Sequence, residues 1–199
     1  MIKPLLLLLA YLIGGIPFGY LLVRLKTGRD VRSMGSGNIG ATNVLRTAGR
    51  GIGVLTLLLD ILKGYFAVWL MAYAGGDSPL WLSGAALAVM AGHAFPVFLK
   101  FRGGKAVASF LGAFLYLTPV PLLAVVAVFV IAVAATGYVS FGSVLAAGTF
   151  PLAVFLILHP VWPVSLASLV AGALIVYRHR ANLERIRAGT EHVFHFGGK

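Results

Sequence analysis

The apolar positions of this chain fall in long unbroken runs, not in alternating pairs or narrow stripes. A membrane-crossing helix needs roughly 20 such residues. Seven spans are predicted, at about 4–23, 52–74, 80–99, 105–118, 120–137, 139–158 and 160–177. The run from Ala106 to Gly137 is too long for one crossing and contains Pro119 and Pro121. It divides into two helices at Thr118-Pro119-Val120-Pro121, where proline removes a helix donor. The fourth span is then short, which suits a thinned or watery region. His159-Pro160 and Trp162-Pro163 separate the last two. Continuous runs disfavour a β-barrel, whose strands alternate. The expected fold is all-α: a polytopic helical bundle of seven transmembrane helices, forming one integral-membrane domain over 1–199.

Composition agrees. Hydrophobic residues make up 60% of the 199, charged residues 11%, and mean hydropathy is +0.97. Water-soluble domains are usually about 45–50% apolar and about 25% charged. No cysteine is present, so disulfides, thiol acyl-enzymes and Cys-ligated metals are excluded. Five acidic residues leave little for a hard-cation cage, and no metal is expected. Lys3 and the leucine run after it look like a secretory signal, but the stretch is long, ends in Arg24 and Lys26, and lacks a small-residue cleavage site. The first helix is expected to be retained.

The net charge of +11 is unevenly placed. Arg24, Lys26, Arg29, Arg32, Arg46 and Arg50 lie between spans one and two. Lys100, Arg102 and Lys105 lie between three and four, and Arg178, Arg180, Arg185, Arg187 and Lys199 follow the seventh. The alternate loops carry none. Basic loops face the cytoplasm, so the N-terminus is expected outside and the C-terminus in the cytoplasm.

Three cytoplasmic segments carry candidate chemistry. In the first, Gly35, Gly37 and Gly40 let backbone amides approach a ligand. Ser36, Asn38, Thr42 and Asn43 add side-chain hydrogen bonds, and Arg46 offers a bidentate fork. A short helix from Gly40 onward would aim its positive end at an anion. The pattern reads as a phosphate cradle; a plain linker has no need of so many donors. Gly35-x-Gly37-x-x-Gly40 with Asp60 matches a dinucleotide fingerprint, but that motif requires a strand before it. The second segment runs from Gly92 and His93 to Lys100, Arg102, Gly103, Gly104 and Lys105. Cations beside a Gly-Gly pair at a helix start form a second anion site. It is not a Walker loop, since Leu99 replaces the first glycine and Ala106 follows the lysine. The plainer alternatives are lipid anchoring for the cations and a hydrogen-bonded helix histidine for His93. The third, His179 to Glu191, reads as an interfacial helix ended by Gly189, from which Asn182 and Glu191 can add polar contacts. Within the spans, Asp60 and Lys63 are spaced to pair on one helix face. Ser140 and Ser143 open the sixth span, as caps or as lining of a site.

The stretches GSGNIGATNVLR, GHAFPVFLKFRGGKAVA and HRANLERIRAGTE, with LLLDILKG, resemble the motifs of the bacterial membrane acyl-phosphate:glycerol-3-phosphate acyltransferases. The resemblance covers essentially the whole chain. It implies seven membrane helices, no metal or other cofactor, and location in the cell inner membrane. It implies transfer of a fatty acyl group from acyl phosphate to the sn-1 hydroxyl of glycerol 3-phosphate. The products are lysophosphatidic acid and inorganic phosphate, the opening of phospholipid biosynthesis.

Two phosphate anions and one apolar tail fit basic glycine turns at a membrane surface. Backbone amides of Gly40, Ala41, Thr42 and Asn43 are assigned to the acyl-phosphate phosphate. Ser36, Arg46 and Lys105 are assigned to that of glycerol 3-phosphate, with help from Asn182. Gly37, Asn38, Gly103, Gly104, Ser143 and Glu191 complete the substrate-binding set. The proton acceptor is either His93 or a substrate phosphate, and the second is preferred; a Ser36 acyl-enzyme is a further possibility. No His-x4-Asp pair exists, and His179-x4-Glu184 does not share a helix face. Membrane lipid is an expected partner, nucleic acid is not, and a monomer is expected. The alternative is an anion transporter of the inner membrane, to which Asp60 and Lys63 would belong. A structural lipid-binding protein leaves the Ser/Asn/Thr/Gly concentration unexplained.

Overall fold

The computed structural model describes residues 2–194. They form ten α-helices and two short 3-10 turns, with no strand among the described residues. The helices are α1 (Ile2–Gly15), α2 (Phe18–Thr27), α3 (Ala41–Ala48), α4 (Arg50–Gly75), α5 (Pro79–Ala94), α6 (Val107–Leu117), α7 (Pro119–Thr136), α8 (Val139–Leu158), α9 (Trp162–Arg178) and α10 (Arg180–Arg187). The turns are Val31–Ser33 and Val97–Leu99. The chain forms two compact units, Met1–Leu117 with α1 to α6 and Thr118–Lys199 with α7 to α10.

Five stretches are long and apolar enough to cross a membrane: Ile2–Thr27, Arg50–Gly75, Pro79–Leu99, Pro119–Thr136 and Val139–Leu158. Val107–Leu117 and Trp162–Arg178 are apolar but shorter, and they occupy the expected fourth and seventh spans. Large apolar side chains such as Leu5, Leu62, Leu123 and Ile131 stand exposed on the helices. In water that would be an aggregating surface; in lipid it is the solvated one.

The first expected span differs from the observed one. It is broken between Gly15 and Phe18. Pro17 has no N–H to offer Ile13, and its ring collides with the carbonyl one turn back. The Ile13 carbonyl accepts the Ile16 N–H instead, at 3.2 Å.

Helices in lipid gain little from mutual hydrophobicity and associate through close packing of small residues. In the first unit α1 meets α5 where a β-carbon on Gly14 would overlap the Val89 carbonyl, and one on Gly92 the Tyr11 carbonyl. The α4–α6 contact is built the same way, with Gly64 against Ser109 and Gly112 against Ile61. Val68, Met71, Val89, Met90 and Phe114 fill the interior. In the second unit Pro151 lies inside α8 and leaves the Ala147 carbonyl without its usual helical donor. That carbonyl lies against Gly172 of α9, where any side chain would collide with it.

Candidate active site

The first segment is held from within. Asp30 caps the Val31–Ser33 turn by accepting the Arg32 N–H at 2.9 Å. Its carboxylate also takes the Arg32 guanidinium, with Nη2 to Oδ2 at 2.6 Å. Hydrogen bonding from that guanidinium holds the Asp30 carboxyl below the ordinary aspartate range. Arg32 lies over the Tyr20 ring, 5.1 Å from its centroid. The chain then turns through Gly35 (φ +55) and Gly37 (φ +70), a region that L side chains seldom adopt.

Asn43, only 2% exposed, fills the inside of this turn. Its Oδ1 accepts the Ser36 N–H at 2.9 Å. Its Nδ2 donates to the Met34 carbonyl at 3.0 Å and the Asn38 carbonyl at 2.8 Å. Asn38 in turn accepts the Gly40 N–H on its Oδ1 at 2.8 Å. A buried amide that uses both ends fixes the loop more firmly than any exposed contact.

These bonds refine the donor inventory. Of the four amides read as a cradle, Gly40 donates to Asn38, and Asn43 donates to the Gly40 carbonyl at 3.0 Å. The amides of Ala41 and Thr42 are the first two of α3, so they have no helical partner. Ser36, Thr42 and Arg46 are exposed. Only the backbone amide of Ser36 is engaged, and Arg46 stands on the last turn of α3 without an ion pair among the described residues.

The second segment begins at the end of α5. Tyr11 donates to the Phe95 carbonyl at 2.7 Å and closes that helix end. The following turn holds three non-glycine residues at positive φ, Lys100 (+53), Phe101 (+62) and Ala106 (+61). Such residues persist only where surrounding contacts over-determine them. Gly103 and Gly104 lie directly on the α5 end: the Gly104 N–H donates to the His93 carbonyl at 3.0 Å. A β-carbon on Gly104 would overlap the His93 ring. His93 is 4% exposed, and its Nδ1 lies 3.6 Å from Oδ1 of Asp60. Asp60 and Lys63 pair at 2.6 Å, as their spacing predicts. Lys105 is half-buried just before α6. An apolar recess of about 420 Å³ lies between the α1–α2 break and α4, with Ile16, Phe18, Leu62 and Lys63 in its wall.

One apolar cluster joins these two segments. Leu99 packs with Ile39 and Val44 of the glycine-rich loop and with Val23 and Val31, ringed by Tyr20, Met34, Ala48 and Ile52. Sequence reasoning missed Leu99, Asn43 as an internal strut and the Asp30–Arg32 clasp. Only Leu99 carried a signal, as the last residue of the apolar run Val97-Phe98-Leu99 just before Lys100.

The third segment lies in the second unit. Glu191 is its hub: Oε1 accepts from Ser140 at 2.9 Å and from Asn182 Nδ2 at 2.6 Å, and Oε2 accepts from Arg185 Nε at 2.7 Å. Burial works to raise the Glu191 pKa. Hydrogen bonds from Asn182, Ser140 and Arg185 outweigh it and hold the carboxyl below the ordinary range. Gly189 (φ +67) follows α10, as expected of a helix stop. Neither serine caps α8, whose N-cap is Tyr138; Ser143 donates to the Val139 carbonyl at 2.8 Å. Among the described residues no group of His, Asp and Glu could hold a metal ion.

A family model described as "Glycerol-3-phosphate acyltransferase" matches residues 4–189. The chain belongs to the glycerol-3-phosphate acyltransferase family. Relatives of that name include one from Geotalea daltonii, 45% identical over 93% of this chain and 94% of its own. Another, from Gloeobacter violaceus, is 48% identical over 92% and 90%. The fold is similar to a crystal structure of PlsY (YgiH), an integral membrane glycerol 3-phosphate acyltransferase, in its glycerol 3-phosphate form. That likeness has a TM-score of 0.92 at 40% identity, covering 98% of this chain and 96% of that one. All three motif segments lie within or at the edge of the matched residues, as does the Asp60–Lys63 pair.

Proposed function

We propose that this membrane-embedded glycerol-3-phosphate acyltransferase takes its acyl group from acyl phosphate. The reading places seven crossings in the plasma membrane of the cell, the N-terminus outside, and the site on the cytoplasmic face of a monomer. The sn-1 hydroxyl of glycerol 3-phosphate attacks the acyl carbonyl. A new ester C–O bond forms, the acyl C–O bond to phosphate breaks, and the hydroxyl proton ends on the departing phosphate. Lysophosphatidic acid and inorganic phosphate leave.

Phosphate is already a good leaving group, so the protein's task is alignment and charge stabilisation. The Ala41 and Thr42 amides, with the positive end of α3, hold the acyl-phosphate phosphate. Ser36, Arg46 and Lys105 hold that of glycerol 3-phosphate. Gly37 and Asn38 shape the first turn, and Gly103 and Gly104 admit the substrate to the second. Ser140, Asn182 and Glu191 organise the third segment, from which Asn182 and Glu191, with Ser143 of α8, are assigned to substrate binding. The observation that carries this reading is the shared cluster in which Leu99 of one anion-binding segment packs with Ile39 and Val44 of the other.

Burial of His93 beneath Gly104 favours a substrate phosphate as proton acceptor. A His93→Ala variant is then expected to bind weakly yet turn over at near-normal kcat. Collapse of kcat with binding intact would restore His93 as base.

Purified protein in lipid, given glycerol 3-phosphate with acyl phosphate, acyl-CoA or acyl-carrier protein in turn, tests the donor. Lysophosphatidic acid formed only from acyl phosphate, with equimolar phosphate released, is the expected result. Product from a thioester donor contradicts it, and uptake of phosphate without covalent product favours a transporter.

A further inference from the structure

The buried Asp60–Lys63 pair has no part in the chemistry above, yet it touches three elements. Both residues lie within α4, about 15–20 Å along the axis from Arg50. Both are nearly inaccessible, at 2% and 5% exposed. Charges at such depth are costly in lipid and usually mark function. Lys63 Nζ lies 2.6 Å from Asp60 Oδ1 and donates to the Ile16 carbonyl at 2.9 Å. That carbonyl sits at the break forced by Pro17, so the pair pins α4 to the α1–α2 kink. On its other side Oδ1 of Asp60 faces Nδ1 of His93 at 3.6 Å, an electrostatic contact and not a closed hydrogen bond. The His93 ring then lies under the Gly104 backbone, and the His93 carbonyl accepts the Gly104 N–H.

We propose that Asp60, held by Lys63, is a positioning residue for acyl transfer: it orients His93, which sets the Gly103–Gly104–Lys105 turn against the substrate phosphate. The claim rests on the reading that this turn meets substrate. A pair serving stability alone would be replaceable by apolar side chains of similar volume, since desolvation offsets most of the attraction of buried charges. This pair instead directs its shared carboxylate oxygen at His93, the side chain that lies against Gly104 in the glycine turn. The turn needs such support, because Lys100, Phe101 and Ala106 around it all hold positive φ.

Two paired variants separate positioning from plain support of the fold. Asp60→Asn with Lys63→Met removes both charges at nearly constant volume. Asp60→Lys with Lys63→Asp keeps the pair and carries the carboxylate away from the position facing His93. Each is compared with wild type by thermal midpoint in detergent, by the Kd for glycerol 3-phosphate, and by kcat and KM. Both are expected to unfold near the wild-type midpoint while binding glycerol 3-phosphate at least tenfold more weakly. Asp60→Glu, which keeps a carboxylate on the right helix face, should recover most of that loss. Wild-type affinity in the paired variants overturns the proposal.

Binding is measured without any acyl donor, so failure of the acyl-phosphate reading leaves this outcome unchanged. Wild-type affinity in Lys105→Met would remove only the assignment of Lys105 to that phosphate. Should the paired variants not fold, 15N NMR of the His93 ring in the wild type decides: Nδ1 must carry the proton facing Asp60. A bare Nδ1 overturns the proposal.

Discussion

Asn43 shows how much one buried amide can hold. Its side chain joins three points of the first segment, at Ser36, Met34 and Asn38. Leaving a buried donor or acceptor unpaired costs about 1–3 kcal/mol. Asn43→Ala should therefore lower stability by about that amount and scatter the loop, with activity falling further than stability. Asn43→Asp should be worse, because it keeps the Ser36 acceptor but sets its second carboxylate oxygen against the Met34 and Asn38 carbonyls. Thermal midpoints and kcat/KM of the two variants check the order. Glu191 is the second residue with a defined expectation. A carboxyl held down in the folded protein contributes stability above its unfolded pKa, about 4.3, and loses it as pH falls through the lower folded value. The gap in thermal midpoint between wild type and Glu191→Gln should be widest near neutrality and close in strong acid. A gap that grows with acidification would contradict the hydrogen-bonded hub. At this scale the sequence was only partly readable. Residue types in the cradle were visible, but Asn38 and Asn43 turn inward while Ser36 and Arg46 face out. That choice is made by the φ values of Gly35 and Gly37 and by Ile39 and Val44 packing underneath.

The helices were far more legible, because the hydropathy of a span must match the bilayer whatever its neighbours do. The break at Pro17 escaped because Gly15, Ile16 and Pro17 fit an apolar run as readily as a kink. Close approach between helices is written in glycines, though which glycine meets which backbone is a tertiary fact. Overpacking a fitted contact typically costs about 1–3 kcal/mol. Gly112→Leu, driving a side chain into Ile61 of α4, should destabilise by at least that or prevent folding. Gly148→Ala meets nothing within 4 Å and should be neutral or slightly stabilising. Thermal unfolding in detergent distinguishes them, and equal loss in both would undo the account of α4–α6 packing.

Apart from the buried Asp60–Lys63 pair, most charged residues lie at helix ends and in the loops between helices, and large apolar side chains stand exposed along the helices. The asymmetry of Lys and Arg along the sequence predicts the orientation of the chain and, with it, a positive field on the cytoplasmic side. Absence of cysteine makes the orientation easy to measure. A single cysteine at Asp77 should react with an impermeant thiol reagent from outside intact cells, and one at Arg187 only after the cells are opened. The reverse pattern would place the anion-binding segments away from a cytoplasmic substrate. The central claim is that the glycine-rich loop and the Gly103–Lys105 turn grip one phosphate together. Its most direct test is a double-mutant cycle on glycerol 3-phosphate binding with Arg46→Met and Lys105→Met. Groups that share a partner typically couple by about 0.5–3 kcal/mol, so the double variant should lose clearly less than the two single losses combined. Losses that add within about 0.3 kcal/mol would show two independent sites and contradict the account.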